Sequence, residues 1–196
     1  MVNLKRMTLS FSHTLKKFIA KKSLHKLIIS LVTLVTVFSI IYSSKQPLNS
    51  ELPNFEYAAA LIVILLLLEF ILIVFIKNFC KKIYDNLSEL IVISIIIIVT
   101  ILASRFALIY SDLLIPVFFA AMLVSILLDL KLALIVNTVL VLAISFMTQM
   151  NPTFIIMGII SGTLSAFTVR KANQRSTLSA AGLFLAGINA LIVICM

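Results

Sequence analysis

Apolar residues run along this chain in long blocks, cut by short polar connections. Seven blocks stand out: Leu27–Tyr42, Ala58–Ile76, Leu87–Leu108, Leu113–Leu128, Leu132–Thr148, Thr153–Val169 and Leu178 to Met196. Each approaches the length at which a helix crosses a hydrocarbon core of about 30 Å, with few charges inside. Lipid offers no hydrogen-bond partners, so such blocks must satisfy their own backbones as helices. The pattern predicts an all-α polytopic membrane bundle of about seven transmembrane helices. Several blocks are short for a full crossing, which favours little tilt or shielding by neighbours.

The connections divide the chain into 1–26, a first span at 27–42, a loop at 43–57 and a bundle from 58 to 196. In the first segment Leu4, Met7, Phe11, Leu15 and Phe18 recur at spacings of three and four, with Lys16, Lys17, Lys21 and Lys22 mostly off that stripe. That is the pattern of a basic amphipathic helix on a membrane surface, and a basic tail without structure is equally compatible. The first span reads as an uncleaved signal anchor, because no clean small-x-small cleavage site follows it. The polar loop SSKQPLNSELPNFEY precedes the second span, and Pro116 falls in the first turn of the fourth, where proline is tolerated.

Charge then gives the blocks an orientation. Of the 16 Lys and Arg residues, all but Lys45 and Arg105 fall on one side of the spans. The loaded side includes Lys81 and Lys82 in one connection and Arg170, Lys171 and Arg175 in another. By the positive-inside rule this side is cytoplasmic. The N-terminus is then inside, loop 43–57 and the C-terminus outside, and the location is the cell membrane. Composition agrees, with 62% hydrophobic and 12% charged residues. A net charge of +9 would suggest nucleic acid in a soluble protein. Here the cations flank spans and meet lipid headgroups, so no nucleic-acid partner is expected.

Few groups offer chemistry. Glu69 is the one ionisable residue deep in a span, seven residues from the inner end of the second block and about 10 Å deep. Ser94 and Asn137 fall at similar depth and are candidate hydrogen-bond donors to it. A ligand- or proton-responsive site and a neutral, hydrogen-bonded carboxyl that holds the bundle together are both open. Arg105 and Asp112 sit near the outer interface, and Asp129 and Lys131 flank an inner turn. His13 and His25 lie in the basic lead, and Cys80 and Cys195 fall at opposite faces, so no metal centre or disulfide is expected. The chain carries no HExxH, GxSxG or Walker sequence and no His-Asp doublet, so it shows no catalytic residues and implies no cofactor.

Small residues recur every four positions in the last two blocks. Gly158, Gly162 and Ala166 form one stripe; Gly182, Ala186 and Ala190 form another. Such stripes let helix backbones approach closely. Packing of the sixth block on the seventh is the expected use, with homodimerisation as the alternative.

Two segments carry a family resemblance: IPVFFAAMLVSILLDLKLALIV at 115–136 and SGTLSAFTVRKANQRSTLSAAGLFLAGINALIV at 161–193. The features are Pro116 followed by Ala120-Ala121-Met122-Leu123, and Leu128-Asp129 before Leu132-Ala133-Leu134. Val169-Arg170-Lys171-Ala172, Arg175-Ser176, Gly182 and Asn189-Ala190 complete them. Together they resemble the membrane region of the seven-transmembrane receptors with an intracellular HD hydrolase domain. The resemblance implies a first span, a large extracellular domain, a membrane bundle and a cytoplasmic HD domain that binds divalent metals and hydrolyses cyclic di-AMP. This chain has only the short loop 43–57 where that extracellular domain would stand, and no HD domain follows the seventh block. With the C-terminus outside, a cytoplasmic domain would need a further span, so Met196 reads as a truncation point.

The expectation is a non-catalytic anchor and signal-transmitting module resembling the membrane part of a cyclic di-AMP phosphodiesterase. Its partners would be the lipid bilayer and a cytoplasmic HD domain or a partner membrane subunit, with an oligomer open through the GxxxG stripe. A small transporter subunit and a membrane scaffold are the alternatives.

Overall fold

A computed structural model describes residues 24–44, 54–111, 115–170 and the helical positions 187, 189 and 190. The proposed amphipathic helix lies outside these residues. So do Lys171, Arg175, Gly182 and Ala186. Every regular element among the described residues is helical. Seven are used below: α1 (Leu24–Tyr42), α2 (Asn54–Phe79), α3 (Lys81–Asp85), α4 (Leu87–Ala107), α5 (Val117–Leu127), α6 (Leu130–Ser145) and α7 (Pro152–Arg170).

Four of these helices are long and apolar enough to cross a membrane: α1, α2, α4 and α7. The fourth and fifth blocks are corrected to shorter helices. Pro116 caps α5 and Asp129 caps α6, leaving α5 only 11 residues, about 16 Å at 1.5 Å per residue. The 16 residues of α6 reach about 24 Å. Neither matches a hydrocarbon core of about 30 Å. The second block is longer than its apolar run suggests. α2 starts at Asn54, inside the polar loop, and runs to Phe79, with α3 following almost at once.

The two short helices form the centre. Leu132, Ala133, Val136, Leu140, Val141 and Ile144 on α6 and Ala121 and Val124 on α5 have no exposed surface. α5, α6 and α7 pack closely on one another, while α2 and α4 each lean on α6. Burial thus concentrates where length is least. α6 is shielded by its neighbours, while α5 keeps an exposed face at Phe119, Leu123, Ile126 and Leu127. α1 is peripheral, with only 17% of its span buried against 44% for α7.

Three side chains clamp the centre through backbone carbonyls. Ser125 Oγ on α5 donates to Ala166 O on α7 at 2.9 Å. Ser165 Oγ on α7 can donate to Phe118 O on α5 at 3.2 Å or to its own helix at Gly162 O at 2.7 Å. Asn137 Nδ2 on α6 donates to Gly158 O on α7 at 3.2 Å. Between α6 and α7 the chain turns through Gln149 and Met150, both at positive φ, 53° and 58°. The Met150 amide bonds Ser145 O at 2.7 Å across this turn. Side chains with a Cβ pay about 1–2 kcal/mol in the left-handed region, and glycine gives back part of that through chain entropy. Gln149→Gly is therefore expected to stabilise the fold by about 0.5–1 kcal/mol. A lower melting temperature in micelles would show that this turn is not strained.

Candidate functional site

α1, α2, α4 and α6 enclose a cavity of about 380 Å³, within the roughly 300–1,000 Å³ typical of small-molecule sites. Val139, Leu140 and Ala143 of α6 contribute to it, and α1, α2 and α4 supply the other walls. On α1 the lining positions Lys26, Ser30, Thr33 and Val37 fall at steps of four, three and four, one face of a helix. Glu69 of α2 and Ser94 of α4 add the other polar groups in the walls, and Tyr84 of α3 stands with Lys26 at one end.

Glu69 is half-buried and bonded to α1. Ser30 Oγ donates to its Oε1 at 2.6 Å and Thr33 Oγ1 stands 3.3 Å from the same oxygen. Glu69 is ten residues from the end of α2, about 15 Å, because α2 continues to Phe79. The added residues, Lys77 to Phe79, extend the helix beyond the apolar block.

Ser94 and Asn137 do not donate to it. Ser94 lines the same cavity, but its hydroxyl returns to Leu90 O at 3.0 Å. Asn137 is turned away, fully buried between α6 and α7. Depth along a span sets height only; the direction a side chain faces depends on how its helix is rotated. The residues missed by the sequence reading, Ser30 and Thr33, did leave a signal: they share one helix face with Lys26 at steps of four and three.

The small-residue stripe of α7 faces α6 and α5. A Cβ at Gly158 would meet Val141 Cγ2 at 2.8 Å, and one at Gly162 would overlap the Asn137 amide. Ala166 is fully buried, its carbonyl bonded to Ser125. The stripe thus packs on α6 and α5; the expected pairing with the seventh block falls largely outside the described residues. Ala190 is exposed.

The two ends of the bundle are distinct. At one, Lys26 Nζ lies 3.5 Å from Asp85 Oδ1 and 3.5 Å from the centre of the Tyr84 ring. Lys81 and Lys82 are exposed on α3. At the other end, Arg105 Nη2 donates to Ser43 O at 3.3 Å. Cys80 is buried beside the first end. Burial pushes its thiol up from the usual range; Asp129 adds to the rise and Lys131 opposes it. Alkylation of Cys80 is accordingly expected to be slow at neutral pH and to keep accelerating above pH 9, past the point where an ordinary thiol levels off. A rate that levels off near the ordinary thiol range would contradict this environment. Among the described residues, no three His, Cys, Asp or Glu side chains gather as a metal site.

The profile of the family described as 7TM receptor with intracellular HD hydrolase matches residues 54–196. No curated protein and no solved structure matches the chain.

Proposed function

From the premise that this chain belongs to the family of 7TM receptors with intracellular HD hydrolase, we propose that it is a non-catalytic, signal-transmitting membrane module for cyclic di-AMP hydrolysis. The N-terminus and the Lys81–Lys82 end would face the cytoplasm, on the strength of the charge asymmetry. The hydrolytic site would lie in an HD domain in the same assembly. The supporting observation is the contrast between the clamped α5–α6–α7 centre and the cavity at its side. α1, outside the matched residues, closes that cavity through Ser30 and Glu69. A ligand that prefers one placement of α1 over another shifts the balance between them by its difference in affinity. Lys26 and Asp85 would carry that shift to the end where the hydrolase is expected.

The test is cyclic di-AMP turnover. Source cells lacking this chain are expected to change their cyclic di-AMP level at least twofold, and the purified chain with manganese is expected to turn over none. Turnover by the purified chain would overturn the non-catalytic role, and an unchanged cellular level would overturn the cyclic di-AMP link. One observation favours a second reading, a transporter subunit: the cavity gathers Ser30, Thr33, Glu69 and Ser94 inside the span region. Solute flux into vesicles that depends on Glu69 would support it over the receptor role.

A further inference from the structure

A second groove lies between α2 and α6 and shares no wall residue with the Glu69 cavity. Phe75 and Phe79 wall it on α2; Lys131, Leu134, Ile135 and Thr138 wall it on α6. α2 ends at Phe79 and α6 begins at Leu130, so Phe79 and Lys131 stand together at one end of the bundle. From there the groove runs inward along α6 to Thr138, seven residue steps or about 10 Å of helix. Behind its mouth the walls are apolar. The Phe75 and Phe79 rings stack with centroids 4.9 Å apart, and the Thr138 hydroxyl donates to Leu134 O of its own helix at 3.0 Å. The groove therefore offers a cation at its mouth and hydrocarbon behind it.

The mouth is more basic than Lys131 alone makes it. Lys77, Lys81 and Lys82 flank Phe79 in the chain, and all four lysines are exposed. Among the described residues none of the four enters an ion pair. The acids at this end are Asp85, which Lys26 meets, Glu89, which accepts from the Asn86 amide, and Asp129. The four lysines outnumber Glu89 and Asp129, so the mouth keeps an excess of positive charge. Basic side chains at a membrane surface attract anionic lipid, and basic pockets between spans hold individual headgroups. A soluble anion would meet the lysines but leave the apolar walls empty. A lipid without net charge would fill the walls but leave the excess charge unmatched.

We propose that this groove is a binding site for one anionic phospholipid, its phosphate against Lys131 and an acyl chain between the Phe75 and Phe79 rings and the Leu134 and Ile135 side chains. The site goes beyond the signalling reading and does not depend on it. Its direction in the membrane follows from the groove itself, with the basic mouth at the headgroups and Thr138 toward the hydrocarbon.

The test is native mass spectrometry of the purified chain released from detergent micelles, titrated with dioleoyl phosphatidylglycerol and, separately, with dioleoyl phosphatidylcholine. Micelles lack the charged surface of a bilayer, so retention there reports a site and not bulk attraction. One phosphatidylglycerol per chain is expected, held at least fivefold more tightly than phosphatidylcholine. Lys131→Gln is expected to weaken it about fivefold, in line with the usual effect of one basic residue at an anionic surface. Arg105→Gln, which removes a charge from the opposite end, is expected to leave it unchanged. Ile135→Trp fills the groove without altering charge and is expected to weaken binding at least tenfold. Thr138→Trp fills the same wall should the first variant fail to fold, with helicity and melting temperature as the check on folding. Glycerol phosphate in hundredfold excess is expected not to displace the lipid. No retention, equal retention of the two lipids, equal losses at Lys131 and Arg105, full retention by a folded groove-filled variant, or displacement by glycerol phosphate would each overturn the proposal.

Discussion

Gly162→Ala is expected to lower the stability of the bundle by about 1–3 kcal/mol, the usual cost of forcing a methyl group into a packed interior. The added Cβ would overlap the side-chain amide of Asn137. That amide has nowhere to go: Asn137 has no exposed surface, and its Nδ2 is held by Gly158 O at 3.2 Å. Its Oδ1 has no hydrogen-bond partner and lies against Gly162, the geometry in which a glycine Cα–H makes a weak contact to oxygen. Moving the amide would cost both contacts in a fully buried position. The origin of the effect can be isolated with a second substitution. Asn137→Ala removes the obstructing group, so the double variant should recover the steric part, giving a coupling of at least 1 kcal/mol in a double-mutant cycle. Reversible unfolding in mixed micelles reads all four proteins. Strict additivity would show that α6 and α7 do not meet at these two residues.

Ile144→Ala is expected to cost about 2–4 kcal/mol, while Ile95→Ala costs under about 0.5 kcal/mol. The two isoleucines are the same residue type in similarly apolar blocks, but Ile144 on α6 is fully buried and Ile95 on α4 is 53% exposed. In a bilayer the usual transfer gain is absent, because lipid tails are as apolar as the side chain. What remains is packing. Truncating Ile144 leaves a void that the α5–α6–α7 centre fills only by distorting, whereas lipid flows into the space left by Ile95. The same micelle unfolding compares them, and equal costs at the two sites would contradict the central position of α6.

Several particulars show how far the linear pattern could be read. Pro116 and Asp129 are both plain in the sequence, and between them α5 takes only 11 helical residues, with Leu128 as its C-cap. The apolar run Leu113–Leu128 nonetheless suggested a span, because hydropathy does not register that the helix begins only after Pro116. The polar loop before α2 was read too long for the opposite reason: Asn54 and Glu56 are polar yet helical. The grouping of charges by end was legible, since Lys26 meets Asp85 at one end and Arg105 meets Ser43 at the other. The partners of Glu69 were not. Ser94 and Asn137 matched it in depth, but Ser30 and Thr33 hold it.

The order of residues along the chain was enough to establish a helical membrane protein and the family whose segments recur between Ile115 and Val193. Each follows from a property summed along one strand of chain: hydrocarbon demands long apolar helices, charge resists crossing, and motif spacing is linear. The rotation of each helix about its own axis is not such a property. Whether Asn137 faces Glu69 or Gly162, whether Ile144 faces its neighbours or lipid, and whether four helices leave a slot between them depend on how side chains on several helices interlock at once. That choice is made by packing, because in a uniformly apolar bundle almost every rotation looks alike until the shapes of Gly158, Gly162, Val141 and Asn137 are fitted together.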